Sequence, residues 1–239
     1  MSRKKEYFLI IDTETCNSLE EPLVYDIGYC VTDRNGTIYL ERSFIVSEVF
    51  LDMQDVMQSA YYNEKIPKYW EDIKNRTRKV LGLYEIRRII LEDMKKYNIK
   101  KVGAYNMAFD KKALNNTMRY CSKSFSRYFF KYGTEYFCIW NMACQVLMAR
   151  KTYIDFAEKN GLISDKGNIF TNAECCYKYV KNVLDFKESH TGLEDVKIET
   201  EILAECYRKH KKMDNKINPY CWKKVQKKRK EIADRKKPA

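Results

Sequence analysis

Histidine is scarce in this chain, with only His190 and His210 among 239 residues. The nine cysteines show no C-x-x-C spacing and no histidine at a zinc-site offset, which argues against a structural zinc site and, at this length, against a disulfide framework. Free thiols in a reducing compartment are the plain reading. No apolar run approaches the ~20 residues of a membrane-spanning helix. The opening Met-Ser-Arg-Lys-Lys-Glu is followed by five apolar residues before Asp12, too few for a signal-peptide core. These absences lead us to expect a soluble, cytoplasmic protein with no membrane partner. Internal repeats and low-complexity linkers are missing too.

What is present is enough for a full-sized core: 45% apolar and 14% aromatic residues. The length suits one large domain, or one domain with an appendage. Charge divides the chain. Cys206 to Ala239 holds 14 of the 45 Lys and Arg but only 3 of the 33 Asp and Glu, net +11, which leaves the preceding 205 residues at +1. We therefore expect a domain over 1–205 and a basic tail over 206–239. A basic tail attracts polyanions through counterion release, so nucleic acid is the first partner to consider. A solvated helix that aids solubility is the alternative.

The chain is organised around Tyr7-Phe8-Leu9-Ile10-Ile11-Asp12-Thr13-Glu14-Thr15, an apolar run suited to a strand covered on both faces that then meets two carboxylates. Leu23 to Thr32 reads as a second strand and Thr37 to Val46 as a third. Between them Asp33-Arg34-Asn35-Gly36 forms a tight turn, since Asn-Gly favours the positive φ of hairpins. Ser47 to Val80 is helical but irregular, broken at Pro67 and Trp70. Further spacing predicts a helix over 84–97, a strand over 102–105, a helix over 108–118, a strand over 137–140 and a helix over 142–150. Capping boxes at Thr171-Asn172-Ala173-Glu174 and Thr191-Gly192-Leu193-Glu194 open two more helices, and the tail after His210 is helical or loosely ordered. The fold class is α/β, a mixed sheet of an antiparallel three-strand meander plus parallel strands, flanked by helices.

Asp12 and Glu14 are two apart, so an extended backbone points both to one face. Carboxylates forced together repel, and a divalent cation relieves the repulsion. Two other segments offer partners. At Ala104 to Asp110 a buried strand stops, Asn106 can cap the next helix through its side-chain amide, and Asp110 falls in that helix's first turn. At His190 to Asp195 the histidine precedes a cap and Asp195 comes one turn into the helix. Each has a bland reading: a chance Asp-x-Glu pair, an aspartate favourable to the helix dipole, a helix-end histidine. Their order, at one strand end and two helix starts, is far more specific than any one alone.

Together the three segments resemble the DEDDh group of the DEDD 3′-5′ exonuclease superfamily, related to the proofreading subunit of bacterial DNA polymerase III. Ile11-Asp12-Thr13-Glu14-Thr15 matches the first motif, Asn106-x-x-Phe109-Asp110 the second and His190-x-x-x-x-Asp195 the third. The resemblance implies a ribonuclease-H-like fold. It also implies phosphodiester hydrolysis with two divalent cations, Mg²⁺ or Mn²⁺, about 3.5–4 Å apart, one activating water and one stabilising the leaving oxygen. By the same resemblance Asp12 bridges both ions, Glu14 and Asp195 hold the water-activating one, and Asp110 helps hold the other. His190 orients the attacking water and takes its proton. The backbone at Thr15 contacts the terminal 3′ hydroxyl and Asn106 shapes the nucleotide pocket, against the plain readings of a loop residue and a helix cap. The aromatic-basic run from Phe125 to Lys131 suits stacking on a single strand, with core packing favoured for Phe129 and Phe130. We expect a 3′-5′ exonuclease on single-stranded DNA in proofreading, replication or repair, with a DNA polymerase or replication complex as a further partner. The same chemistry on RNA and a non-catalytic nucleic-acid-binding module are the rivals.

Overall fold

In the computed structural model, which describes residues 5–122, 127–210 and 212–235, strand β1 (Phe8–Cys16) feeds two cores at once. Leu9 and Ile11 pack into one with Ile86, Ile90 and Leu114, while Phe8 and Ile10 pack into the other with Val196, Ile202 and Leu203. Period-two alternation turns a continuous apolar run into a strand clothed on both faces. β2 (Leu23–Thr32), buried at all ten positions, and β3 (Ile38–Val46) complete the antiparallel meander.

Short helices α1 (Ser47–Phe50) and α2 (Gln54–Met57) lead to α3 (Ile66–Lys74), β4 (Lys79–Leu81), α4 (Leu83–Lys96), β5 (Lys101–Ala104) and α5 (Met107–Cys121). Then come β6 (Glu135–Cys138), α6 (Ile139–Ala143) running into a π turn over Cys144–Met148, α7 (Lys151–Lys159), α8 (Ala173–Lys181), α9 (Gly192–Lys209) and α10 (Trp222–Asp234). The sheet order is β4-β3-β2-β1-β5-β6, with β4, β5 and β6 each parallel to a neighbour. This is the expected mixed α/β sheet. The edge strand β4 was not foreseen, because three residues carry too little periodicity to read.

Several local expectations need correction. Only Gly36 takes a positive φ, +81°, in the first hairpin. Its N–H bonds the Asp33 carbonyl at 3.1 Å and the Asp33 carboxylate accepts from Asn35 and Thr37, so this is a turn followed by a left-handed glycine and not an Asn-Gly turn. Pro67 does not break a helix but begins one, where its missing N–H costs nothing. The first capping box is shifted by one: Asn172, not Thr171, caps α8 by accepting from the Cys175 N–H. In the second, Thr191 stands at the cap position but its hydroxyl bonds the Glu194 carboxylate. Asn106 occupies the cap position of α5 without a side-chain cap bond.

Residues 206 and beyond are joined closely to the rest. Helix α9 runs through the expected division at 205/206, and Cys206, Cys221 and Val225 are fully buried in the second core. Phe129 and Phe130 are buried, Tyr128 is exposed, and Phe125 lies outside the described residues. Among the described residues no helix is long and apolar enough to cross a membrane.

Candidate active site

A close backbone contact sets the site. α9 begins at Gly192 against Gly28 of β2. A Cβ on Gly28 would meet the Gly192 carbonyl carbon at 2.1 Å, and one on Gly192 would meet the Gly28 nitrogen at 2.6 Å. Only glycine on both sides allows this approach. It lays the first turn of α9 across the end of β1, so Asp195 comes down on Asp12 and Glu14. Ligand atoms of these three lie within 4.8 Å of one another. Asp110 arrives from α5, which packs on the opposite face of the sheet, and is held at the strand end by the Thr13 hydroxyl at 2.9 Å. All four line one cavity of about 570 Å³.

The electrostatics are lopsided. Desolvation raises Asp12 well above its ordinary range, and the surrounding carboxylates Glu199, Asp110, Glu14 and Asp195 add to it. Burial, then the charge of Asp195, pushes Glu14 up to about 8. Burial pushes Asp110 to about 7 against the Thr13 hydrogen bond, and Asp195 to about 7 against the Ser189 hydroxyl at 3.3 Å. No lysine or arginine side chain lines the cavity among the described residues. Hard carboxylate oxygens gathered this tightly suit Mg²⁺ or Mn²⁺, whose charge supplies what the protein withholds. The donor set fits.

His190 lines the same cavity with an unusual backbone, φ +53°, and its ring stacks on Tyr62 at 3.9 Å and 10°. Its ring nitrogen groups with Glu174 and Glu188, within 4.8 Å, and not with the Asp12–Glu14–Asp195 set. Burial lowers its pKa from the ordinary imidazole value against the charge of Glu174, which favours the neutral ring. Asn106, exposed, lines the cavity. Thr15 is half-buried beyond a register shift after Glu14 and does not line it.

Among the lining residues that sequence reading missed are Glu199, Glu188, Tyr62 and Trp222. Glu199 lies one turn beyond Asp195, and Glu188 two residues before His190, so spacing could have flagged both. Tyr62 comes from an irregular stretch, and Trp222 comes from the basic tail; nothing local marks either. Trp222 joins Trp140 and Phe170 among the lining residues, and α10 is fastened to the neighbouring 162–170 segment by Gln226, which exchanges hydrogen bonds with Ile169 at 3.1 and 3.0 Å.

No protein-family model matches the sequence, and no curated protein does. Solved structures do match. Escherichia coli exonuclease I in complex with a dT13 oligonucleotide aligns over 86% of this chain and 42% of its own, at 12% identity and TM-score 0.54. The fold is similar to that of exonuclease I. A zinc-bound E. coli exonuclease I–single-stranded DNA complex aligns over 86% of this chain and 41% of its own, with 13% identity and TM-score 0.51. Exonuclease I from Methylocaldum szegediense covers 87% of this chain and 41% of its own, with 14% identity and TM-score 0.51. The likeness is one of fold, and it agrees with the fold that the resemblance of motifs implies. The chain spans less than half the length of these exonuclease I chains.

Proposed function

We propose that this protein is a metal-dependent 3′-5′ exonuclease that shortens single-stranded DNA from its 3′ end, by the two-metal chemistry of the DEDDh group. The observation that carries the reading is the convergence of four motif carboxylates, from three distant segments, on one cavity that lacks a protein cation. Asp12, Glu14 and Asp195 would hold one cation, and Asp12 with Asp110 a second, Mg²⁺ or Mn²⁺. When bound, such ions supply an activated water and neutralise charge at the departing 3′ oxygen.

The chain's own groups do the rest. His190, whose burial favours the neutral imidazole, is a base that accepts the proton of the attacking water. Its stack on Tyr62 fixes the plane of the ring. Asn106, on the cavity wall, holds the terminal nucleotide. Phe109, Trp140, Phe170 and Trp222 give bases a surface on which to stack. In this reading residues 1–205 supply the catalytic apparatus, and the basic segment over 206–239 adds a wall and positive charge for the strand. Processing of DNA 3′ ends in replication or repair, beside a polymerase or replication complex in the cytoplasm, is the setting we infer.

The test is a gel time course on 5′-labelled single-stranded DNA and matched RNA with Mn²⁺, Mg²⁺ or EDTA. A metal-dependent ladder shortening from the 3′ end, faster on DNA and lost in Asp12→Asn, is expected. Faster RNA shortening would move the substrate to RNA. Binding without cleavage under every metal would overturn the enzyme.

A further inference from the structure

Glu199 is a carboxylate of the cavity that the motif resemblance leaves unassigned. It sits on α9 four residues after Asp195, hence on the same face of the helix and one turn deeper. The side chain is 3% exposed and lines the same cavity as Asp12, Glu14, Asp110 and Asp195. Its Oε2 atom is buried and has no hydrogen-bond partner among the described residues. Its charged neighbours are all acidic: Asp110 acts on it most strongly, then Glu188 and Asp195, and it is the first of the like charges felt by Asp12.

The other buried glutamate on this helix also has an Oε2 without a hydrogen-bond partner, but cations pair its charge. Glu205, two turns further along α9, is paired with Arg208 and with Lys209 at 3.4 Å. A buried carboxylate oxygen without a donor is costly unless something outside the protein completes it. Glu199 lines the cavity of the acidic ligands, outside the close group of Asp12, Glu14 and Asp195, and a cation is what would complete its buried free oxygen.

We propose that Glu199 is a fifth carboxylate of the metal centre, serving the cation held between Asp12 and Asp110, directly or through a water on that ion. The proposal rests on the metal-dependent reading above. Tyr105, just before Asn106 and Asp110, lines the same cavity as Glu199, so Glu199 faces the strand end that delivers Asp110. Glu199 thereby makes the second site less dependent on Asp110 alone. The rival role is a neutral glutamic acid that shares a proton with Asp12, and the amide Glu199→Gln imitates that form closely.

The experiment is Mn²⁺ titration of the full chain by calorimetry, with wild type, Glu199→Gln, Glu199→Asp and Asp12→Asn side by side. Two ions per wild-type chain are expected. In Glu199→Gln one ion keeps its affinity and the other weakens about 10–100-fold, the range seen when a supporting ligand is removed. Glu199→Asp recovers part of that affinity. Melting in EDTA checks the fold: Glu199→Gln melts at or above wild type, and its Mn²⁺-induced rise is smaller. Two ions bound by Glu199→Gln as tightly as by wild type would overturn the role of Glu199 while leaving the metal centre standing. A wild type that binds no Mn²⁺, like Asp12→Asn, would overturn both.

Discussion

Glu14 and Asp26 stand opposite each other on β1 and β2, both buried, on the same face of the sheet. Their surroundings could hardly differ more. Asp26 receives Arg78 Nη1 at 2.7 Å, the Tyr69 hydroxyl at 2.8 Å, the Gly192 N–H at 3.1 Å and the Ser43 hydroxyl at 3.4 Å. Arg78 also lies over the Tyr69 ring and reaches Asp72 and Glu194. Burial still raises Asp26, but the Arg78 charge and these hydrogen bonds oppose it. One residue across the ladder, Glu14 meets Asp195, Asp26, Glu188 and Asp110, all of its own sign. The fold can neutralise a buried carboxylate and does so for Asp26. Leaving the neighbouring set without a cation therefore marks it as a place where charge comes from a ligand, and Asp26 as part of the frame that seats α9.

The largest expected effect separates the two regions outright. Asp12→Asn should abolish hydrolysis while melting in EDTA at or above wild type, because it removes a half-buried, repelled charge; normal turnover by a folded variant would sink the site assignment. Asp26→Asn should do the reverse, costing about 1–3 kcal/mol of stability by removing the nearest of the three carboxylates around Arg78. Chemical denaturation reads this, and a loss within error would reduce Asp26 to a bystander.

His190→Ala should slow hydrolysis about 10²–10⁴-fold, as loss of a positioned base does. Its Mn²⁺ titration should match wild type, since the ring groups with Glu174 and Glu188 and not with the carboxylate set.

The pH dependence of stability is smaller and more telling. Glu14 at about 8, with Asp110 and Asp195 at about 7, lies above the roughly 4 of an unfolded carboxylate. Between those limits the folded apo protein binds more protons than the unfolded chain. Stability in EDTA should therefore be greatest near the lower limit, fall as pH rises toward 8, and level off beyond. Saturating Mn²⁺ should flatten that decline, since bound metal holds the carboxylates ionised. Melting curves at stepped pH with and without metal test this; identical slopes would remove the metal from the site.

The smallest effect concerns the basic helix. Lys223, Lys227 and Lys230 are exposed and share one face of α10. Replacing all three with Gln should lower the salt dependence of single-strand binding by about 0.7 in log–log slope for each phosphate no longer neutralised. An unchanged slope would return this face to a solubility role.

Much of this arrangement was legible from residues alone. The bounds of β2, the apolar run of β1, the amphipathic α4 and the carboxylates at a strand end and two helix starts follow from periodicity and spacing, which are local properties. Where the reading slipped, competing local partners decided. The Glu194 carboxylate drew the Thr191 hydroxyl away from its cap, and Asn172 took over the cap expected of Thr171. The Phe125 end of the aromatic-basic run lies outside the described residues, while Phe129 and Phe130 are core, as expected.

Chemistry at individual positions, then, was written in the sequence: which residues can ligate a hard cation, and which stretches can form the strand that presents them. Tertiary structure decided which charges remain unanswered. Arg78 is 52 residues from Asp26, the Gly28–Gly192 contact joins positions 164 apart, and Trp222 reaches the cavity from the far end of the chain. Pairing or isolating a carboxylate depends on what the fold brings within a few ångströms of it, and no local pattern encodes that distance.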